Sequence, residues 1–167
     1  MGRKPGTKGE AAAAAAAAED EARLKRAESI RKYMADVVIR ERFLIALYAV
    51  SICAAGCGGS VTEDAMRDIR EAVQGLGKKM SSEELTEAIE KLFVTPPSVT
   101  VAAAYALEFR DGWEEFDDAV EAGLASGLRP AKSQAAFREA WGLAASQAGI
   151  RSRYAMPLLT VQSVVSS

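Results

Sequence analysis

The chain of 167 residues contains no histidine and no asparagine. Without histidine there is no Ser-His-Asp or Cys-His machinery, and the commonest metal ligand is missing. Asparagine is thermolabile, so its absence fits a hot environment, and a GC-rich genome accounts for it equally well. Aromatic residues make up only 7% of the chain. The two cysteines are too few for a disulfide framework. Cys53 and Cys57 share one helix face, but no second pair completes four zinc ligands, so they read as small core residues. The strongest apolar run, Phe43 to Gly56, falls short of the roughly 20 residues that span a bilayer.

Glycine and proline are missing in one place above all. From Glu10 to Ala55 there is neither, and that run opens with eight alanines, Ala11 to Ala18. Alanine is the best helix former, and nothing in the run breaks a helix. As one helix, its 46 residues would extend roughly 69 Å. A rod of that length cannot bury itself in its own subunit. Apolar residues at 30, 33, 34, 37, 38, 44, 45 and 48 form a stripe at helical spacing, with Lys25, Lys32 and Arg40 opposite. A bend between Ala35 and Arg42 would reconcile an exposed front with a buried back.

The rest is punctuated by helix stops and starts. Gly56 ends the long run, with Gly58 and Gly59 supplying positive φ. Ser60 to Glu63 and Ser81 to Glu84 read as capping boxes, and Thr95-Pro96-Pro97 is a stop. A region from Ser98 is interrupted at Asp111-Gly112, and Pro130 opens a last helix that ends near Gly149. The expected fold is all-α: a long N-terminal helix followed by a compact bundle of about four short helices. The organisation read from the sequence is a disordered basic arm over 1–9, an extended helix over 10–42, a bundle over 43–150 and an extended tail over 151–167.

No catalytic or metal-binding residue, cofactor or small-molecule substrate is assigned. Glu114-Glu115-Phe116-Asp117-Asp118 lacks the alternating oxygens and central glycine of a calcium loop, and reads as the solvated face of a helix. Neither Gly56 to Gly59 nor Gly75 to Lys79 matches a phosphate loop.

Charge is uneven along the chain. Residues 1–42 hold 10 Lys and Arg against 7 Asp and Glu, residues 43–128 hold 6 against 15, and residues 129–167 hold 5 against 1. Arg3, Lys4, Lys8, Arg23, Lys25, Arg26, Arg31, Lys32, Arg40 and Arg42 stand along the arm and rod. Cations so placed can track phosphates by releasing counterions, which gives affinity without base specificity. The interleaved acids Glu19, Asp20, Glu21, Glu28 and Asp36 would then face away from the nucleic acid or pair with a neighbouring subunit.

A basic tail, a long Ala-rich helix, an all-helical bundle and the lack of asparagine resemble the major coat proteins of filamentous and rod-shaped viruses of hyperthermophilic archaea. The resemblance implies a virion location and N-terminal helices of paired subunits wrapped around double-stranded DNA. It implies copies of this chain, or a related coat chain, as further partners. Two other readings compete. One is a small, cytoplasmic helical interaction module with a basic tail. The other is a lipoprotein anchored at Cys57, because Ala54-Ala-Gly-Cys57 resembles a lipoprotein cleavage site.

Overall fold

The computed structural model describes residues 5–76 and 82–155, and every regular element among them is helical. Seven α-helices follow one another: α1 (Pro5–Ala35), α2 (Val37–Ala55), α3 (Glu63–Leu76), α4 (Glu83–Val94), α5 (Val99–Leu107), α6 (Trp113–Gly127) and α7 (Ala131–Ala148). A 3-10 turn, Arg110–Gly112, joins α5 to α6. No described helix is long and apolar enough to cross a membrane.

The long uninterrupted run is two helices, not one. Asp36 adopts extended backbone, φ −93° and ψ 129°, and its carboxylate accepts hydrogen bonds from the Val38 and Ile39 N–H groups at 2.9 and 3.0 Å. A short acidic side chain that caps N–H groups competes with continuing the helix, so one residue ends α1 and starts α2. The break falls within the 35–42 window where the sequence places a bend; it divides the helix read over 10–42 and splits the expected stripe. Ile30, Tyr33 and Met34 pack on the core, whereas Val37 and Val38 are 56% and 63% exposed. Helix also begins at Pro5, inside the segment read as a disordered arm, because proline suits the first helical turn. Among the described residues six helices follow α1 rather than about four.

The capping residues shift by one or two positions. Thr62, not Ser60, caps α3 by accepting from Ala65 N–H, and Ser82 caps α4 through Leu85 N–H. Positive φ after α2 falls on Cys57 and Gly58.

α2 is the centre of the bundle, and twelve of its nineteen residues are buried. α6 crosses it at backbone distance. A Cβ on Gly123 would lie 2.2 Å from the Ser51 carbonyl oxygen, and one on Gly127 2.0 Å from that of Ala55. Only glycine permits that approach. The Ser51 hydroxyl donates to the Ala119 carbonyl at 2.7 Å across the same seam. Tyr33, Phe43, Phe109 and Phe116 stack in a chain of tilted and edge-on contacts, with centroids 5.1 to 5.8 Å apart, and so join the end of α1 to α2 and α6.

Asp117 is fully buried, which corrects the reading of its acidic run as a solvated face. It accepts from Trp141 Nε1 at 2.9 Å, Ser152 Oγ at 2.8 Å and the Arg153 N–H at 2.8 Å. A buried carboxylate needs such donors, and these three pin α7 and the segment after it to α6. Of the tail expected over 151–167, residues 151–155 are non-helical, and the remainder lies outside the described residues.

Candidate nucleic-acid interface

The front of α1 is exposed on every side. All residues from Gly9 to Lys25 are solvent-facing. A hypothetical Cβ on Gly9 would meet nothing within 4 Å. This length is helical because alanine loses almost no side-chain entropy there, not because it packs. α1 reaches the bundle at Arg26, whose guanidinium spans the Glu115 carboxylate at 2.7 and 2.9 Å and touches Glu114 at 3.0 Å. Those acids sit in the first turn of α6, where the helix dipole favours negative charge. Burial opposes the Arg26 charge, but the two carboxylates outweigh it and hold its pKa above the ordinary value.

The ten cations of the sequence reading therefore separate. Arg23 and Lys25 make loose pairs one turn away, with Asp20 at 3.4 Å and Glu21 at 3.7 Å, and both are largely exposed. Such pairs contribute little and yield readily to a stronger anion. Arg31 and Lys32 are exposed near the end of α1. Three others meet groups of their own subunit or are partly buried. Arg26 is held by α6, Arg42 pairs with Glu108, and Arg40 is half-buried, its Nε without a hydrogen-bond partner among the described residues. The kink at Asp36 takes Arg40 and Arg42 off the line of α1, leaving Arg40 half-buried and Arg42 exposed beside Glu108. Arg3 and Lys4 lie outside the described residues, as does the side chain of Lys8.

A cleft of about 570 Å³ opens between α1 and the start of α6. Arg23, Lys25 and Arg26 line one side, and Arg110 and Arg151 the other. Glu19, Asp111 and Glu114 are the acids there, so cations outnumber them five to three. Arg151 lies over the Trp113 ring at 4.7 Å, a stacked arrangement that keeps the guanidinium edge free for hydrogen bonds. Sequence reading missed Arg110 and Arg151. The basic C-terminal block was the signal for Arg151, and only the fold brings it beside α1.

Cys53 is buried, and burial pushes its thiol up to about 12, so it is inert at neutral pH. Burial also raises the half-buried Cys57. No group of three or more His, Cys, Asp or Glu side chains able to hold a metal occurs among the described residues. No protein-family model, curated protein or solved structure matches this chain.

Proposed function

We propose that this protein is a structural, nucleic-acid-binding assembly subunit. In this reading α1 lies along the phosphate backbone of double-stranded DNA and against neighbouring copies, while the bundle forms the outer part of a repeating virion shell. One observation carries it: every residue of α1 from Glu10 to Lys25 is exposed, while the buried core is built from α2 to α7, with only the end of α1, at Ile30, Tyr33 and Met34, packed against it. A helix with no apolar face to bury leaves its surface available to a partner. Arg23, Lys25, Arg31 and Lys32 supply charge along it, and Arg110 and Arg151 extend that charge onto the bundle. Contacts of this kind read no bases.

The lipoprotein reading has less support. Cleavage before Cys57 would remove α2, the most buried helix of the bundle. The interaction-module reading shares the exposed helix and differs in the partner.

Binding to duplex DNA across a salt series tests the proposal. The expected log–log slope for the full chain exceeds that of the Arg23→Gln, Lys25→Gln, Arg31→Gln, Lys32→Gln variant by about 3 to 4, since each phosphate contact contributes about 0.9. Micrographs of the DNA mixture should show filaments of uniform width. Salt-independent binding, or equal slopes for the two proteins, refutes the nucleic-acid role.

A further inference from the structure

A second feature of the bundle matches the unburied front of α1. Between α4 and α5, over α2, lies a groove of about 370 Å³ floored by Ile45, Ala88, Leu92 and Tyr105. Tyr105 is 39% exposed, and Val101, one turn earlier on α5, is 47% exposed. Among the described residues the groove is open, with Tyr105 accessible, Leu92 buried at its base, and polar as well as apolar side chains in its lining. Among the described residues its rim is acidic: Glu84 and Glu87 flank it, with Lys91 the one cation. The whole of α4 carries four glutamates against that one lysine.

We propose that this groove receives the Ala11–Ala18 segment of α1 from a second copy of the chain. Three features fit. The segment is a helix bearing only methyl groups, so its backbone can come close to a shallow apolar floor. It is preceded by Arg3, Lys4 and Lys8 with no acid before Glu10, which complements Glu84 and Glu87. It also cannot occupy the groove of its own subunit. α1 is fixed at Arg26, and the 16 residues back to Glu10 carry the helix about 24 Å away without a break. The inference builds on the assembly role proposed above, but not on its nucleic-acid part. It assigns Arg3, Lys4 and Lys8 to the neighbour and leaves Arg23, Lys25, Arg31 and Lys32 for phosphates.

A tip seated in a different patch of the next subunit is a heterologous contact, which propagates head to tail rather than closing as a symmetric dimer. That asymmetry provides the test, run by sedimentation velocity without nucleic acid. The full chain should associate with rising concentration, more weakly at high salt. Two full-length variants each disable one side: Ala12→Glu with Ala15→Glu on the tip, and Ala88→Arg in the groove. Each alone should associate at least about tenfold more weakly. Mixed in equal amounts they should form a dimer and stop there, because the tip variant keeps an intact groove and the groove variant an intact tip. Unchanged helical circular dichroism of both variants shows that they fold. The proposal is overturned if the full chain stays monomeric up to about 1 mM, if either variant associates as the parent does, or if the mixture forms no dimer. DNA binding that persists in any of those cases would leave the nucleic-acid reading standing.

Discussion

α2 buries twelve of its nineteen residues, whereas the stretch of α1 from Glu10 to Lys25 buries none, although a single residue separates the two helices. α2 is held by its surroundings. It includes valine, isoleucine, phenylalanine and tyrosine, which are middling helix formers, and it is helical because α6, α5, α4 and α3 enclose it. The front of α1 is held by its own backbone, through a run of the most helix-favouring residue. Isolated helices are marginal in water unless longer than about 12 to 15 residues, and α1, at 31 residues, exceeds that length. Two routes to one secondary structure thus lie side by side. Only the second leaves a surface free for other molecules.

Paired substitutions sharpen the contrast most. Leu47→Ala in α2 removes a side chain that is 2% exposed and should cost about 3 kcal/mol or more of global stability, read from urea unfolding. Ala14→Gly in α1 costs about 1 kcal/mol of local propensity, so it should lower helical circular dichroism and leave the urea midpoint unmoved. A shifted midpoint would mean that the front of α1 belongs to the cooperative core. Gly123→Ala comes next. Its methyl meets the Ser51 carbonyl, so α6 must move off α2, at a cost of about 2 kcal/mol in the same measurement. Full stability of that variant would show that the seam is looser than its geometry implies.

Smaller effects bear on the joint between the two regions. Arg26→Ala removes a partly exposed ion pair, so bundle stability should fall by only about 1 kcal/mol. The front of α1 should then exchange its amide hydrogens faster near Arg26, while α2 protection stays the same. The least change is expected with pH. The Arg138 hydrogen bond lowers the Glu121 pKa against opposing burial, and Tyr154 donates to the same carboxylate. A lowered carboxylate pKa gives stability that is present above the ordinary glutamate value and fades as pH falls through the folded value. Unfolding midpoints should therefore drop on going from about pH 6 to about pH 3, and Glu121→Gln should flatten that decline.

Much of the helix punctuation was legible before the fold. Ser98, Thr95, Gly56 and Gly149 stand at helix ends because caps and stops are local chemistry, written in the residues beside them. What escaped depends on contacts distant in the chain. The bend near Asp36 did not escape, because an exposed front and a buried back require one, although the residue that caps it was not singled out. Asp117 sat in a run of acids and looked solvated, yet it shares a helix face with Val120 and Leu124, and that spacing was available to read. The cleft could not be read at all. It needs α1 laid beside the 3-10 turn and the end of α7, which joins residues 20s, 110s and 150s across the whole chain.

A stiff arm gripped at one end is a lever. With Arg26 and the Tyr33–Phe43 stack as its fulcrum, tilting the arm by about ten degrees would displace Glu10 by about 4 Å, because roughly 24 Å of unsupported length multiplies the angle. If the arm meets a neighbouring copy as proposed, tolerance for subunit spacing would be set at a few side chains near the joint, far from where the subunits would meet.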